Sequence, residues 1–506
     1  MNVSSISRRV RHKTKTTDGR LAVIDIGSNT VRLVVYDAPN RLPIPIFNEK
    51  AECGLGRGLE TTGVLCPEGV ESAMVSLTRF INLSDSMGVE ELALVATAAV
   101  RDATDGPEFV RRIEQQFDVQ VDVPTGAEEA KLSGLGLVMG TPSANGFLAD
   151  LGGGSVDFVE LDNGAFRHTA TLPLGHLRLS EAAEDDIERA EKIINVELDN
   201  IDWLVDQRRM TLYAIGGSWR ALARVFIDQT SYPLHVVDGF PMANIDAIQM
   251  CDLVARLGVK SIKSISGIPK NRAKSVPFCA LVLRALIERS GVSNVVFSGY
   301  GMREGQLLKM LPAALRGQDP LLSGSAGMAE RTGRFAITGP EVFDWIAPLF
   351  PPGRDAESRL RMAACMLSDL GWSEHPDYRA EHAFLRVLRL PFAGLTHAER
   401  VFLAIAIFIR YNGDTVNPLV QSVRSLMTDY DMGHANVTGL ALRLAHTVSG
   451  SAPGLLEHTS FEVSDTEIVL QLPGDGNDEG DIFRGEAVER RLRTLGKALG
   501  REGRLN

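Results

Sequence analysis

Two short segments of this sequence join an aspartate to a glycine-bearing turn, and they align without a gap: Asp25-Ile-Gly-Ser-Asn-Thr-Val-Arg-Leu-Val and Asp150-Leu-Gly-Gly-Gly-Ser-Val-Asp-Phe-Val. These residue types suit the handling of phosphate. Gly27 in the first copy, and Gly152, Gly153 and Gly154 in the second, carry no Cβ to keep an anion away from backbone N–H groups. Ser28, Thr30 and Ser155 add hydroxyl donors and Asn29 an amide. Asp25 and Asp150 can hold Mg2+ directly or through water, which would neutralise a phosphate chain. One such turn reads as a hairpin with a Gly-Ser tip; two in register, each with its Asp, point to a phosphate site. The copies are not equivalent. The first ends in Asn29, Thr30 and Arg32, suited to gripping phosphate, and the second in Ser155 and Asp157, suited to holding metal or water.

Further candidates lie around these turns. Glu128 and Glu129 open a helical pattern, where acids favour the helix dipole. Beside a phosphate, either carboxylate can take a proton from an attacking water. Arg101 follows an apolar strand and reads by itself as an arginine at a strand–helix junction, yet a guanidinium there can fork onto phosphate oxygens. Gly216, Gly217 and Ser218 make another glycine-bearing turn, and Arg303 lies in Ser298-Gly-Tyr-Gly-Met-Arg-Glu-Gly.

The elements that must position these residues alternate between β and α patterns for about 290 residues. Residues 21–27 (LAVIDIG) and 31–37 (VRLVVYD) read as β-branched strands around a tight polar turn. ELALVAT ends a strand at Thr97, a helical pattern follows from Glu108, and VQVDV reads as another strand. Leu132, Leu135 and Leu137 fit a helix starting just after Gly126. The pattern then restarts with FLADLGG and SVDFVEL, 125 residues after the first copy, which indicates a duplicated domain. TLYAIGGSWRAL and NVVFSGYGMREG each read as a strand, a glycine turn and a helix start. Past residue 311 helical segments take over, at 341–349, 356–369, 381–390 and 398–411. FEVSDTEIVLQLP then carries a strand pair's worth of residues, followed by an acidic loop, GDGNDEGD.

Taken in order, Asp25-Ile-Gly-Ser-Asn-Thr-Val-Arg, Ala96-Thr-Ala-Ala-Val-Arg-Asp-Ala, Thr125-Gly-Ala-Glu-Glu-Ala, Asp150-Leu-Gly-Gly-Gly-Ser, Ala214-Ile-Gly-Gly-Ser and the Ser298 motif resemble the exopolyphosphatase/guanosine pentaphosphate phosphatase family over residues 21 to about 310. The resemblance implies an α/β fold of duplicated ribonuclease H-like domains, the actin, Hsp70 and sugar-kinase superfold, followed by an all-α HD-like C-terminal domain. The expected divisions are a disordered basic tail at 1–20, a first actin-like domain at 21–143, a second at 144–311 and the helical domain at 312–506. It also implies Glu129 as the residue that activates water, with Glu128 as the fallback, and Asp25, Asp150 and Asp157 around Mg2+, accompanied by a monovalent cation such as K+. Phosphate contacts fall to the two loops, Arg32, Arg101, Arg303 and the Gly216-Gly217-Ser218 turn, where relatives in the superfold approach a nucleotide or distal phosphate. The family usually has Glu where this chain has Asp157, one methylene shorter, so a water-mediated role is expected there. A homodimer is implied as well.

The C-terminal region, through residues 362–371 with His375, His382 and Arg410-Tyr411, matches the long members. The position of an HD metal pair reads Ser368-Asp369, so chain binding or dimerisation is expected instead, with Arg379, Arg386 and Arg410 as phosphate contacts. A run of Lys260, Lys263, Lys270, Arg272 and Lys274 reads as a solvated face or as a guide for a polyanion.

Bulk properties narrow the options. The chain has 506 residues, 44% hydrophobic and 23% charged, with formal net charge −11. An anionic substrate must therefore be drawn by a local basic patch, and general nucleic-acid binding is disfavoured. No apolar run approaches the roughly 20 residues of a membrane span. The first 20 residues carry six Lys/Arg and one Asp without an apolar core, unlike a secretory signal. Cys53, Cys66, Cys251, Cys279 and Cys365 have neither metal nor redox spacing, a pattern that suits ordinary thiols in a reducing cytoplasm. The expected activity is removal of orthophosphate from the end of inorganic polyphosphate. The same chemistry on guanosine pentaphosphate (pppGpp) is the first alternative; the long C-terminal domain and the lysine run lean towards the polymer. An ATP-binding chaperone or sugar kinase of the same superfold, and a catalytically silent nucleotide-binding regulator, complete the set.

Overall fold

A computed structural model describes residues 19–37, 39–205, 207–208, 210–264, 273–332, 339–473 and 482–506. Most of the basic tail, Lys270, Arg272 and the acidic loop at 474–481 lie outside the described residues. The chain packs as two compact units, Met1–Glu129 with Lys309–Pro312, and Ala130–Leu308 with Ala313–Asn506.

In the first unit, β1 (Arg20–Ile26) and β2 (Thr30–Tyr36) are consecutive strands rich in Val, Leu and Ile, followed by β3 (Pro45–Glu52), β4 (Val89–Ala96) and the two-residue β5 (Val121–Asp122). They form one sheet in the order β3-β2-β1-β4-β5, with β1, β2 and β3 antiparallel and β4 parallel to β1. The central strand β1 is buried on both faces, which is why its sequence is nearly continuous in apolar residues. Leu77, Phe80 and Ile81 of the Pro67–Ser86 helix, and Phe109, Ile113 and Phe117 of the Gly106–Phe117 helix, join Ile24, Ile26 and Leu33 in one core.

The second unit repeats the plan. β6 (Gly146–Leu151), β7 (Val156–Asp162), β8 (Ala165–Leu172), β9 (Thr211–Ile215), β10 (Phe240–Ala243) and β11 (Asn294–Phe297) order as β8-β7-β6-β9-β11-β10. The antiparallel triplet and the parallel strand beside it match those of the first sheet, so the duplicated α/β architecture is present. Strand alternation sorts β6: Phe147, Ala149 and Leu151 enter a large core with Phe158, Trp219, Phe226 and Phe297. Leu148 points the other way, packing with Ala130 and Leu137 of the Gly126–Gly140 helix. Asp150 shares that second face by the period of two.

That helix also touches the Met302–Met310 helix at backbone distance, because glycines meet there. A Cβ on Gly305 would lie 1.8 Å from the Leu132 carbonyl oxygen, and one on Gly136 would lie 2.0 Å from that of Gly301. The glycines of the Ser298 motif thus serve close packing. Gly305→Ala is expected to cost about 1–3 kcal/mol as an overpacked contact, read from urea unfolding; unchanged stability would contradict this packing.

Residues past 312 are helical, as expected, with the wholly apolar Val401–Ile409 stretch buried inside the His397–Arg410 helix. The expected strand pair is present as β12 (Ser460–Val463) and β13 (Glu467–Gln471). A third strand, β14 (Glu502–Leu505), pairs parallel to β13, so the region is helical with a small sheet where only helices and one hairpin were expected. The physical reason is that β13 is buried at Ile468, Val469 and Leu470 and needs a partner on its second edge. Among the described residues no helix is long and apolar enough to cross a membrane.

Candidate functional site

The two glycine turns close identically. Gly27 N–H donates to the Thr30 carbonyl at 2.9 Å, and Gly152 N–H to the Ser155 carbonyl at 2.9 Å. In the first turn the Asn29 carbonyl accepts from Cys53 and Gly54 N–H, both at 3.0 Å, and the Ser28 carbonyl from Gly56 N–H at 2.8 Å. The turn is therefore fixed by its carbonyls. Asp25 pairs across the ladder with Arg32, whose Nε donates to Asn48 Oδ1 at 2.8 Å.

Arg101 sits in the short Ala98–Asp102 helix that follows β4. Its guanidinium donates to Glu129 Oε2 at 2.7 Å, to Asp102 Oδ1 at 3.1 Å and to the Pro124 carbonyl at 3.2 Å. The pair is largely enclosed, with the Arg101 and Glu129 side chains 21% and 12% exposed. Burial alone would lower the Arg101 pKa, but the Glu129 and Asp102 carboxylates outweigh it and hold the guanidinium above its ordinary value. The adjacent glutamates have separate partners. Glu128 accepts from Thr125 N–H at 2.9 Å and from its hydroxyl at 2.8 Å, while Thr125 Oγ1 accepts from Glu128 N–H at 3.3 Å. This is a reciprocal capping box, so Glu128 starts the helix and Glu129 faces the arginine.

In the second turn the Gly152 and Gly153 carbonyls accept from the backbone of His176, Leu177 and Arg178 at 3.0–3.2 Å. Gly175 makes this approach feasible: a Cβ there would fall 2.2–2.4 Å from the backbone of Gly153, Gly154 and Ser155. Asp150 lies opposite Asp157 on β7, and paired residues of antiparallel strands share a face. Asp157 is buried and accepts from Thr171 Oγ1 at 2.8 Å. Asp150 Oδ2 accepts from Ser133 Oγ at 2.6 Å. Burial pushes the Asp150 carboxyl above its ordinary value, opposed by the Ser133 hydrogen bond and by Arg220 and Arg303. A cation between two such carboxylates would relieve that penalty, and Mg2+ commonly takes only one or two protein carboxylates, completing its shell with water and substrate phosphate. Among the described residues no group of three or more His, Cys, Asp or Glu forms a metal site by itself.

Gly216 adopts φ 113°, and a Cβ on it would lie 2.5 Å from the Leu151 carbonyl and 3.2 Å from Asp150 Oδ1. Glycine is thus required where the Gly217–Gln229 helix begins beside Asp150. Ser218, 1% exposed, has no hydrogen-bond partner for its buried hydroxyl among the described residues. A helix N-terminus with a spare hydroxyl suits an anion. Arg303, half-buried, acts on Asp150 through its charge.

Sequence reasoning missed Ser133, Arg220, Thr171 and the Gly175–Arg178 backbone. Ser133 lies buried on the Gly126–Gly140 helix, and its partner is 17 residues away in sequence. The C-terminal arginines expected as phosphate contacts make internal contacts. Arg410 pairs with Asp369 at 3.4 Å, Arg379 donates to the Glu374 carbonyl at 3.2 and 3.3 Å, and Arg386 to that of Leu370 at 3.4 Å. Each is engaged inside its own region. At the HD position, Ser368 Oγ meets His446 Nε2 at 2.7 Å in a buried contact. Lys260, Lys263 and Lys274 are exposed. All five cysteines are free thiols, four of them buried.

Comparison with known proteins gives a consistent family. The model of the Ppx/GppA phosphatase family matches residues 34–314, and that of the exopolyphosphatase C-terminal region matches 351–505. Exopolyphosphatase 1 of Mycobacterium tuberculosis is 25% identical over 324 residues, covering 62% of this chain and 94% of that protein. Retrograde regulation protein 2 of Saccharomyces cerevisiae is 24% identical over 441 residues, covering 78% and 72%. An exopolyphosphatase structure from Cytophaga hutchinsonii superposes with TM-score 0.53 at 24% identity, over 57% of this chain and 97% of its own. The Aquifex aeolicus member of the Ppx/GppA family gives 0.51 at 24%, over 57% and 96%. At that identity the structural likeness shows the fold.

Proposed function

This chain belongs to the Ppx/GppA phosphatase family, and from that premise we propose that it hydrolyses the terminal phosphoanhydride of inorganic polyphosphate and releases orthophosphate. The observation that carries the reading is the enclosed Glu129–Arg101 pair, 2.7 Å apart, on a unit that also presents a glycine phosphate turn. In the resting pair the Arg101 guanidinium orients the Glu129 carboxyl group through their hydrogen bond. A terminal phosphate competes for Arg101, and Glu129 is then released to take a proton from water. The hydroxide attacks the terminal phosphorus in line, the bridging P–O bond breaks, and the shortened chain leaves with the bond's electron pair. In the first unit the glycine turn with Ser28 and Thr30, and in the second the glycine turn with Ser155 and Ser218, each supply donors for phosphate oxygens. Asp150 and Asp157 of the second unit would hold Mg2+, Asp25 being the corresponding carboxylate of the first unit's turn; bound there, Mg2+ would neutralise charge developing on the phosphate chain.

The test is phosphate release from long-chain polyphosphate and from pppGpp by the purified protein. Release from the polymer at much higher kcat/KM supports the proposal, and the reverse preference replaces the substrate while keeping the chemistry. ATP-dependent phosphorylation of a sugar, or no release from either substrate, would overturn it. Removal of divalent metal with EDTA is expected to drop release to background, with recovery on adding Mg2+; full activity in EDTA would remove the metal from the scheme.

A further inference from the structure

The second unit contains a strap, residues 390–396, that joins the Arg379–Arg389 and His397–Arg410 helices of the C-terminal region. Its conformation is locked from within. Arg400, 2% exposed, donates from Nη1 to the Leu390 carbonyl at 2.5 Å and from Nη2 to the Phe392 carbonyl at 2.9 Å, on either side of Pro391.

The strap reaches a helix that bonds Asp150 and a loop that lies beside it. Its Gly394 N–H donates to the Gly140 carbonyl at 2.7 Å, capping the end of the Gly126–Gly140 helix whose Ser133 hydrogen-bonds Asp150. At its other end, His397 Nε2 lies 3.0 Å from the Asp238 main-chain carbonyl, and Nδ1 lies 2.9 Å from the Tyr232 hydroxyl. A carbonyl only accepts, so Nε2 carries the proton and Tyr232 donates to Nδ1. Burial pushes the ring down to about 4, which keeps it in this neutral form. The Asp238 side chain in turn accepts from Gly299 N–H at 2.8 Å, while Arg220 donates to the Gly299 carbonyl at 2.7 Å. The Gly299 peptide groups are thus held from both sides. Two residues on, a Cβ added to Gly301 would lie 3.7 Å from Asp150 Oδ2. Gly239, at φ 78°, lets the Asp238 backbone lie against Leu395 and His397, where a Cβ would meet the Leu395 carbonyl at 3.4 Å.

We propose that this strap is a positioning element of the Asp150 site, acting through His397 and Asp238 on the Gly299–Gly301 loop and through Gly394 on the Gly126–Gly140 helix. It gives the C-terminal region a role in setting the geometry of catalysis in addition to any binding role. The inference rests on the proposed function only in taking Asp150 to be part of the working site. None of these residues touches substrate; each acts through a neighbour, and small misplacements at a reacting centre are expensive.

The experiment compares Asp238→Ala with Asp238→Asn, and His397→Ala with Tyr232→Phe, in the full chain. Steady-state phosphate release, thermal melting and hydrogen exchange at the Gly299–Gly301 amides are followed. Asp238→Ala and His397→Ala are expected to lower kcat about tenfold with KM within about twofold. Asp238→Asn keeps an oxygen acceptor for Gly299 N–H and is expected to recover kcat to within about twofold of wild type. Tyr232→Phe removes only the hydroxyl and serves if the alanine variants fail to fold; it is expected to give a smaller loss of kcat and faster exchange at Gly299. Wild-type kcat and wild-type exchange in folded alanine variants, or in Tyr232→Phe, would overturn the proposal. So would a loss in Asp238→Ala that Asp238→Asn does not recover. Hydrogen exchange needs no substrate, so it decides the strap's action on the loop even where wild type releases no phosphate and the functional reading itself fails.

Discussion

Glu129→Gln is expected to lower kcat for phosphate release by about 10²–10⁴-fold, the usual range for losing a general base, with little change in KM. The substitution keeps the side-chain shape and an oxygen to accept from Arg101, so the folded protein is expected to survive. What it removes is the ability to take a proton from water. Glu128→Gln is the control, since a glutamine also completes a capping box and its kcat is expected to stay within about twofold of wild type. The two glutamates are neighbours in sequence but turn to different partners, Thr125 for Glu128 and Arg101 for Glu129. Equal losses in both variants would mean that the Glu129–Arg101 geometry does not single out the base. Full activity in Glu129→Gln would end the mechanism as written.

Asp150→Asn is expected to cost about 100-fold in activity, as for other residues that hold or orient a metal ion, while making the folded protein more stable near neutrality. The sign follows from burial, which raises the Asp150 carboxyl above its ordinary value of 3.8. The folded chain therefore holds this proton more tightly than the unfolded chain. That preference favours folding below the ordinary pKa and is lost as pH climbs through the folded one. Near neutrality the ionised group opposes folding, and a neutral amide that still accepts from Ser133 does not. Urea unfolding at neutral pH and at a pH near 3.8 checks this: the stability advantage of Asp150→Asn should shrink on acidification. An advantage independent of pH, or a loss of stability at neutrality, would mean that the carboxylate is better solvated than its surroundings suggest. Added Mg2+ is expected to narrow the neutral-pH gap by stabilising wild type selectively.

Much of the fold was readable because its signals are local. The paired turns, the strands that run through them and the helix after Thr125 are each marked within about ten residues by apolar runs and glycines. The edge strands were not. β3 alternates exposed and half-buried positions, and its Asn48, Glu49 and Lys50 resemble a loop. β14 is Glu-Gly-Arg-Leu, which acquires strand structure only because β13, over thirty residues earlier, offers it an edge. Within the candidate site the same rule holds. The loop residues announce themselves by type and spacing, Glu129 is singled out only by the family resemblance, and the T-x-x-E signature of the Thr125–Glu128 capping box was also present in the sequence. Ser133, Arg220 and Asp238 act on partners 17, 79 and 61 residues away, so no local pattern marks them. The arginines at 379, 386 and 410 were read from charge and region alone, and the carbonyls and carboxylate they bond became visible only in the fold.

The capping box at Thr125 has a consequence for how this chain can change in length. It fixes which residue begins the helix, and with that the angular setting of every residue in the first turn. One residue inserted between Thr125 and Glu128 would turn Glu129 by about 100° around the helix axis if the start stayed at Thr125. An insertion before residue 120 leaves that setting untouched, because the start is set by the pair itself. Tolerance to insertions and deletions should therefore fall sharply between residues 125 and 129 and recover on the N-terminal side. The segment works as a ruler whose zero is a threonine hydroxyl.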